Sequence, residues 1–311
     1  MSERLMSIAC GQLGPIEPEA PRAGVVARLV ALLRQAHEAG ATLVVFPELA
    51  LTTFFPRYII DDERELDRYF ELAMPNADVA PLFEAAANYG VGFYLGYAEK
   101  TPDGRRFNSS VLVGRDGKVV GKYRKIHLPG NLDFDPKRSV QQLERRYFTS
   151  GDLGFPVWRE QGAVAGMLIC NDRRWPESFR VLGLQSVELV LLGYCTPSEH
   201  SSLPHKESAE VRRLQNRLTV QAGAYQNGTF VAGAAKAGVE GGVHYMADSA
   251  IIAPSGELLA ETHTDGDELI AARIDLDHCN FYKNGLFNFG LYRKIENYGM
   301  IASRRAAIPP E

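Results

Sequence analysis

Short apolar runs alternate with helical patterns along the first part of the chain. Residues 7–13 and 42–46 are apolar runs of strand length. Between them, over residues 22–39, apolar side chains recur every three or four positions, which is the spacing of an amphipathic helix. A second helix is predicted over residues 80–89, and a glycine directly follows each helix as a stop signal. The order of elements therefore indicates a β-α-β-α-β arrangement.

After residue 91 the pattern changes, because strands follow one another without helices between them. Asp116-Gly117 separates two such runs and is typical of a hairpin turn. The second half repeats the mixture of helices and hairpins. Strands are predicted at 163–170, 187–192 and 229–235, one helix opens near Pro176, and a long helix covers 207–225. Three further strands after residue 247 are joined by tight turns, so the sheets are predicted to be mixed.

Two halves that each combine βα units with hairpins fit two stacked mixed sheets with helices packed outside them. No Pro/Gly/Ser-rich linker, low-complexity tract or internal repeat marks a domain boundary. We therefore expect one α/β domain over residues 1–311. Its C-terminal tail, from about 280 to 311, is rich in aromatic residues, and we expect this tail to pack on a partner subunit.

The composition excludes several classes of function. With 34 Lys+Arg against 38 Asp+Glu, the net charge is −4, so no basic excess attracts nucleic acid or an anionic membrane surface. The longest apolar runs, such as residues 43–51, are far shorter than the ~20 residues that span a bilayer. Charged residues interrupt the first 15 positions, which lack the apolar core of a signal peptide. We expect a cytoplasmic protein.

The cysteines are too sparse for a disulfide framework, and none has CxxC spacing: Cys10, Cys170, Cys195 and Cys279. His200 and His205 are expected in a loop and not as metal ligands, because no third ligand or suitable helical spacing accompanies them. No metal site is predicted. The remaining question is whether one cysteine is a nucleophile.

Cys170 is the first candidate for chemistry. It ends an apolar strand and is followed by NDRRWPE, in which Pro176 suits the first turn of a helix. At such a strand-to-helix elbow, the helix N-terminus and nearby guanidinium charge would favour a thiolate. The alternative is an inert, small apolar side chain. For Arg173 and Arg174 the alternative is pairing with Glu177 on a solvated helix end.

Glu48 follows the run TLVVFP, so its carboxylate lies at the C-terminal end of a buried strand, the edge where α/β sheets bind ligands. A glutamate in a surface turn is the alternative. The surrounding residues, ELALTTFFP, are apolar and aromatic and indicate burial. Burial would raise the pKa of this carboxyl and suit it to act as a general base near neutral pH.

Lys122, Arg124 and Lys125 lie in the run GKYRKIHLPG. Charges that alternate along a strand usually line a solvated face, which is the interpretation for the first two. Lys125 falls on the opposite face, at the end of the strand. Because a buried lysine is costly unless paired, we expect it to meet Glu48 and Cys170 and to supply a cation for a developing oxyanion.

Several segments resemble the nitrilase superfamily: FPELALTTFFPR, GKYRKIHLPG, LERRYFTSGDLGFPV, ICNDRRWPE and QAGAYQNG. The resemblance covers about residues 5 to 300. The order Glu, Lys, Cys is specific to the superfamily, and CNDRRWPE is similar to its N-carbamoyl-D-amino acid amidohydrolase (D-carbamoylase) branch. This resemblance implies an α-β-β-α sandwich that forms homodimers or homotetramers and uses neither a metal nor an organic cofactor.

The resemblance also implies the catalytic roles. Cys170 is the expected nucleophile, Glu48 the general base and Lys125 the group that stabilises the tetrahedral intermediate. Glu144, in LERRYF, matches a second glutamate that helps to position the site. The implied reaction hydrolyses N-carbamoyl-D-amino acids to the D-amino acid, carbon dioxide and ammonia through a carbamoyl-thioester on the cysteine.

Substrate recognition is implied in the same way. A guanidinium binds a carboxylate bidentately, and the pair Arg173 and Arg174 is tied to recognition of the substrate carboxylate in the resembled family. Asn171 and His127 also line the implied pocket, and Thr196 contributes from the following loop. Nothing in the spacing or composition determines whether the D or the L form is accepted.

Two positions depart from the D-carbamoylase pattern. Gln142 stands before LERRYF where that branch has histidine, and Cys195 follows LGY where it has asparagine. Both are expected near the pocket. Losing one polar partner there could shift the preference to another carbamoyl or amide substrate without touching the chemistry.

Rival interpretations change the substrate or the class of protein. The same site could act on another N-carbamoyl compound, such as β-ureidopropionate, or on a simple carboxamide. A non-catalytic binding protein is disfavoured because Glu48, Lys125 and Cys170 are all present. A thiol redox sensor would need a resolving cysteine, for which Cys195 is the plausible neighbour.

Overall fold

The computed structural model describes residues 4–202 and 205–309. The strands within these ranges are β1 (Leu5–Gln12), β2 (Leu43–Val45), β3 (Phe70–Glu71), β4 (Gly92–Lys100), β5 (Arg106–Val113), β6 (Val119–Arg124), β7 (Val157–Glu160), β8 (Ala163–Ile169), β9 (Leu189–Tyr194), β10 (His200–Ser202), β11 (His205–Glu207), β12 (Phe230–Ala235), β13 (Ala237–Glu240), β14 (Val243–Met246), β15 (Ala250–Ile252), β16 (Leu258–Glu261) and β17 (Glu268–Asp275).

The helices are α1 (Arg22–Glu38), α2 (Glu63–Asp67), α3 (Ala80–Tyr89), α4 (Glu144–Tyr147), α5 (Pro176–Leu184), α6 (Ala209–Asn227), α7 (His278–Asn284), α8 (Phe289–Tyr292) and α9 (Gly299–Ser303). Short 3₁₀ turns occur at Phe55–Arg57, Cys170–Arg174 and Ile295–Asn297. None of the described helices is long and apolar enough to cross a membrane.

Two large mixed sheets organise these elements. The first has the order β17-β1-β2-β4-β5-β6, with β3 beside β4, and the second has the order β16-β15-β12-β9-β8-β7. In each sheet three central strands are parallel and the flanking pairs are antiparallel. Small hairpins pair β10 with β11 and β13 with β14. The predicted mixed sheets are confirmed.

Alternate residues of the central strands face opposite layers, as the two-residue period of a strand requires. On β2, Val44 packs in the cluster that contains the apolar faces of α1 and α3. Its neighbours Leu43 and Val45 pack in the cluster that joins the inner faces of the two sheets, together with Phe179 of α5 and Val220 of α6. The layers are therefore helix, sheet, sheet, helix, which confirms the predicted α-β-β-α sandwich.

The structure corrects one part of the sequence analysis. His200 and His205 were expected in a loop, but they belong to the β10–β11 hairpin, in which Ser202 pairs with His205. The long helix begins at Ala209, after Ser208 caps it by accepting the N–H of Val211. No group of three or more His, Cys, Asp or Glu side chains that could hold a metal ion lies in the described ranges.

Candidate active site

The residues that carry the chemistry lie just after the C-terminal ends of strands. Glu48 comes three residues after β2, Lys125 directly after β6, Cys170 directly after β8 and Cys195 directly after β9. Since these strands lie in two facing sheets, their ends bring together side chains that are far apart in the sequence. This is the strand edge at which the sequence analysis placed a ligand site.

Two glycines allow the backbone of Glu48 to enter this space. A Cβ atom on Gly193 of β9 would lie 2.7 Å from the backbone nitrogen of Glu48, and one on Gly96 of β4 would lie 2.8 Å from its Cα. Both distances are shorter than van der Waals contact, so no side chain fits at either position. Because neither glycine has a side chain, the segment that carries Glu48 fits between the two sheets.

Glu48, Lys125 and Glu144 form a buried charged cluster. Lys125 Nζ lies 2.7 Å from Glu48 Oε1 and 2.5 Å from Glu144 Oε2, and none of the three residues is more than 1% exposed. Burial alone would lower the pKa of Lys125, but the two carboxylates outweigh it and raise this pKa above its ordinary value. Lys125 is therefore charged at neutral pH.

The two carboxylates compete for that single cation. Burial raises the pKa of Glu144 despite the opposing charge of Lys125, and the charge of Glu48 raises it further. The Glu144 carboxyl therefore takes up a proton more readily than an exposed glutamate does. The cluster can thus hold a proton close to the reacting atoms.

Asn108 on β5 belongs to this cluster, although it was not predicted as a site residue. Its Nδ2 donates to Glu48 Oε1 at 2.7 Å and to Glu144 Oε2 at 3.3 Å. Its backbone oxygen accepts the N–H of Lys125 at 2.8 Å. The available signal was an asparagine within the strand RFNSSVLV, since a polar side chain buried in a strand needs a polar neighbour.

Cys170 lies at the start of the 3₁₀ turn with a φ of 45°, in the left-handed region that non-glycine residues rarely adopt. It is 5% exposed, and its Sγ donates to the backbone oxygen of Cys195 at 3.7 Å. The N–H of Cys195 donates to Glu48 Oε2 at 3.1 Å. The residue after β9 therefore connects the expected nucleophile with the expected base.

The guanidinium near the elbow favours the thiolate, as expected, but it does not decide the net shift. Burial, and after it the charge of Glu48, raises the pKa of the Cys170 thiol above its ordinary value, although Lys125 and Arg173 oppose the rise. The positive charges near the sulfur are outweighed by desolvation and by the neighbouring carboxylates. A thiol in this state needs a base to remove its proton, and Glu48 is placed for that task.

Asp172 holds the elbow and was also missed as an individual residue. Its Oδ2 accepts the N–H of Ile169 at 3.1 Å and the hydroxyl of Tyr123 at 2.8 Å, while its Oδ1 accepts the N–H of His127 at 3.0 Å. The side chain is completely buried. Its position inside the chemistry-bearing run CNDRRWPE was the signal that could have found it.

His127 and Asn171 lie at the outer edge of the site. Nδ1 of His127 is 2.8 Å from Asp172 Oδ1, and the ring stacks on Trp175 with a centroid separation of 5.0 Å. Nδ2 of Asn171 donates to the backbone oxygen of His127 at 3.0 Å. Both residues are half-buried, so the predicted pocket residues adjoin each other and border the solvent.

The structure separates the two arginines that the sequence analysis treated as a pair. Arg173 is 1% exposed, and it donates to Asn216 Oδ1, Thr196 Oγ1 and the backbone oxygen of Cys170. Arg174 is exposed and makes no hydrogen bond or ion pair with any residue of the ranges 4–202 and 205–309. Neither arginine pairs with Glu177 in these ranges.

The remaining predicted residues surround the cluster. Nε2 of Gln142 donates to Glu144 Oε1 across 3.4 Å, a long hydrogen bond. Thr196 is buried and accepts from Arg173. Cys195 is 1% exposed, and its main chain makes the contacts to Glu48 and Cys170. Apart from Arg174, whose exposed side chain makes no hydrogen bond or ion pair with the described residues, the residues predicted for the site lie in or next to one cluster.

Comparison with known proteins identifies the family. The carbon-nitrogen hydrolase family model matches residues 7–284. The chain is 31% identical to a nitrilase from Pyrococcus abyssi, over 79% of this chain and 81% of that protein. It is 27% identical to a citrullinase from Francisella tularensis, over 86% and 88%. It is 26% identical to an N-carbamoylputrescine amidase from Solanum lycopersicum, over 93% and 92%.

Solved structures agree with this result. A carbon-nitrogen hydrolase from Helicobacter pylori superposes with a TM-score of 0.81 at 25% identity, over 97% of this chain and 99% of that one. An amidase from Nesterenkonia, determined with the acetamide moiety of fluoroacetamide added to its active-site cysteine, shares the fold with a TM-score of 0.69 at 21% identity, over 92% and 97%. These findings confirm the predicted superfamily, while the D-carbamoylase branch stays a prediction.

Proposed function

This chain belongs to the carbon-nitrogen hydrolase family and is an amide C–N hydrolase, and we propose that its substrates are N-carbamoyl-D-amino acids. The products are the D-amino acid, carbon dioxide and ammonia. The observation that carries the proposal is Arg174, a guanidinium without a protein partner among the described residues, four positions after the elbow cysteine. A substrate that carries a carboxylate beside its carbamoyl group would supply the missing partner.

The first half-reaction transfers the carbamoyl group to sulfur. Glu48 takes the thiol proton of Cys170, and the sulfur forms a bond to the carbamoyl carbon while the carbonyl electron pair moves to oxygen. Lys125, with a backbone N–H at the elbow, stabilises the oxyanion. Collapse breaks the bond from the carbamoyl carbon to the amino acid nitrogen, and Glu48 returns the proton to the leaving amine.

The second half-reaction repeats the attack with water. Glu48 takes a proton from the water, whose oxygen bonds to the thioester carbon while the carbonyl electron pair moves to oxygen. The carbonyl then re-forms, the C–S bond breaks, and Glu48 returns the proton to the Cys170 sulfur. The released carbamic acid decomposes to carbon dioxide and ammonia. Splitting the hydrolysis into two steps helps because a ureido carbonyl is a weak electrophile, so the nucleophile and the oxyanion site must lower the barrier together.

The hydrogen bonds around Glu48 support its role as the base. Oε1 accepts from Lys125 and Asn108, and Oε2 accepts from the N–H of Cys195. Three donors hold the carboxylate in one orientation, so its position does not have to be organised during the reaction. The raised pKa of the Cys170 thiol makes such a base necessary.

The charges around Arg174 favour an anionic substrate group. Partial desolvation, followed by the charge of Arg173, lowers the pKa of Arg174 to about 10, so the guanidinium remains charged at neutral pH. Arg212 also lies nearby, but it pairs with the carboxylate of Glu207 at 3.2 Å, so these two charges offset each other and Arg173 supplies the excess positive charge. This surrounding suits a carboxylate and disfavours the ammonium end of N-carbamoylputrescine.

The D configuration and the oligomeric state rest on the resemblance to D-carbamoylases. The described part of the C-terminal tail leaves apolar side chains exposed, among them Phe281, Leu286, Leu291 and Ile301. Their exposure supports the proposal that the tail packs on a second copy of the chain in a homodimer or homotetramer.

The test is ammonia release from matched N-carbamoyl-D- and N-carbamoyl-L-amino acids, with β-ureidopropionate and a simple carboxamide assayed alongside. The Cys170→Ala variant is the blank. We expect a D-selective signal that the blank lacks. Faster turnover of the simple carboxamide would contradict carboxylate recognition, and faster turnover of β-ureidopropionate would mean that Gln142 and Cys195 have redirected the pocket.

A further inference from the structure

We propose that Arg173 is a positioning residue that clamps the strained elbow of Cys170 and does not bind the substrate. The proposal rests on the proposed function in one respect, the assignment of Cys170 as the nucleophile. It assigns different tasks to two adjacent arginines that share the same charge. Arg174 faces the ligand, and Arg173 holds the protein.

Arg173 is fully engaged by protein atoms. Its Nη1 donates to the backbone oxygen of Cys170 at 2.7 Å, its Nη2 to Thr196 Oγ1 at 2.9 Å, and its Nε to Asn216 Oδ1 at 2.8 Å. The guanidinium also lies over the ring of Tyr194, 4.5 Å from the centroid. Each of the three side-chain nitrogens therefore has a protein partner, and only 1% of the residue is exposed.

The backbone of the nucleophile adopts an unusual conformation. Cys170 has a positive φ, a conformation that persists in a non-glycine residue only when its surroundings hold it. The bond from Arg173 to the Cys170 carbonyl fixes the peptide plane directly after the strained residue. Asp172 fixes the other side by accepting the N–H of Ile169. The elbow is therefore gripped on both sides of the sulfur-bearing residue.

The same guanidinium connects two strand ends. Cys170 follows β8, and Thr196 follows β9 by two positions. Between β9 and Thr196 lies Cys195, whose backbone oxygen accepts from the Cys170 thiol and whose N–H donates to Glu48. By holding both segments, Arg173 sets the position of the nucleophile relative to its base.

The guanidinium of Arg173 is oriented by Asn216 of helix α6. Asn216 presents its oxygen to Arg173 and donates with Nδ2 to Asp248 Oδ2 at 2.7 Å. Asp248 in turn accepts from Arg217 at 2.8 Å. Because the amide of Asn216 lies between a guanidinium and a carboxylate, only one of its two orientations satisfies both neighbours. Three parts of the chain therefore meet at this guanidinium: the 3₁₀ turn with Arg173, the segment after β9 with Thr196, and helix α6 with Asn216.

The test compares three variants: Arg173→Met, which loses charge and fork, Arg173→Lys, which keeps the charge, and Thr196→Val, which removes one acceptor without changing side-chain shape. Arg174→Lys is the contrasting variant, because it should raise KM for the carboxylate substrate alone. Turnover is measured on an N-carbamoyl-D-amino acid and on a neutral carboxamide. Alkylation of Cys170 by iodoacetamide is followed against pH by peptide mapping, and thermal melting verifies the fold.

We expect Arg173→Met to lower kcat by about 10²-fold on both substrates while KM changes by less than about threefold, because a displaced nucleophile slows the chemistry equally for each. Alkylation should shift to higher pH, since a charge that favours the thiolate is gone. Arg173→Lys should restore the alkylation profile but not kcat. Thr196→Val should give a smaller loss of kcat, equal on both substrates.

A rise in KM confined to the carboxylate substrate, with kcat and alkylation unchanged, would overturn the proposal and make Arg173 a ligand for the substrate. If Arg173→Met does not fold, the same criteria apply to Arg173→Lys and Thr196→Val. The alkylation arm needs no substrate, so an unchanged profile in Arg173→Met counts against the clamp even if no ureido compound is turned over. A fully active Cys170→Ala would instead refute the proposed function.

Discussion

The site has a floor and a rim that differ in how their polar atoms are used. We define the floor as Glu48, Asn108, Lys125, Glu144 and Cys170, which are nearly inaccessible to solvent. We define the rim as His127, Asn171, Arg174 and Trp175, which are half-buried or exposed. In the floor the charged groups hold one another, whereas Arg174 at the rim has no partner among the described residues.

The difference shows which part of the reaction each region serves. Groups that move protons or stabilise an oxyanion need fixed positions, and burial among mutual partners provides them. A group that recognises a ligand must keep its hydrogen-bonding capacity free until the ligand arrives. The residues of the floor therefore indicate which reaction the site catalyses, and those of the rim indicate which substrates it binds.

The largest effect should follow from removing the nucleophile. We expect Cys170→Ala to lower turnover at least about 10⁴-fold, because the residual rate comes only from substrate binding and the oxyanion site. Ammonia release measures the loss, and an unchanged melting temperature shows that the fold is intact. Cys279→Ala is the matched control, since Cys279 is an equally buried cysteine outside the site. Full activity of Cys170→Ala would show that the floor does not supply the nucleophile and would contradict its assignment to the chemistry.

Removing the base should separate turnover from thiol reactivity. Glu48→Gln should lower kcat by roughly 10²–10⁴-fold because no group takes the proton. The charge of Glu48 raises the pKa of the Cys170 thiol, so its removal lowers that pKa. Alkylation by iodoacetamide should therefore become faster at neutral pH while turnover falls.

The control for this variant is Glu188→Gln, which alters a buried glutamate that pairs with Arg4 far from the cysteine. It should leave both readouts unchanged. Slower alkylation of Glu48→Gln would mean that Glu48 assists the thiol in the resting enzyme, and the sign of its effect on Cys170 would have to be reversed.

At the rim, the expected effect is smaller and selective. Arg174→Lys should raise KM for carboxylate-bearing substrates by about 10-fold, since a bidentate charge-assisted pair is replaced by a point charge. The KM for a neutral carboxamide should stay the same. Arg213→Lys, at an exposed arginine on α6, is the control for a general change in surface charge. Equal effects on charged and neutral substrates would remove Arg174 from substrate recognition.

The smallest effect concerns Gln142, which lies between floor and rim. Its hydrogen bond to Glu144 is long, at 3.4 Å, and it slightly opposes the rise in the pKa of that carboxyl. We expect Gln142→Leu to shift the acid limb of kcat/KM to higher pH, with no more than about a fivefold loss at neutral pH. A change in substrate preference instead would show that Gln142 contacts the ligand.

The amphipathic period of α1 and the buried strands beside it predicted the layers of the fold correctly. The hairpin signal at Asp116-Gly117 is confirmed by the pairing of β5 with β6. The β10–β11 hairpin was missed, because its polar residues carry no apolar alternation. Asn108 and Asp172 were missed as site residues for a related reason, since a single buried polar residue gains meaning only from the neighbours that tertiary structure provides.

The sequence by itself determined the family, the Glu48, Lys125 and Cys170 set and the strand ends that carry it, because periodicity and short motifs are local properties of the chain. Only the tertiary structure decided that the thiol of Cys170 is not a ready thiolate, since its pKa depends on burial and on carboxylates from distant strands. It also distinguished Arg173 from Arg174. Two adjacent arginines point their side chains in different directions from the backbone. The side chain of Arg173 points inward, where it contacts Thr196 and Asn216.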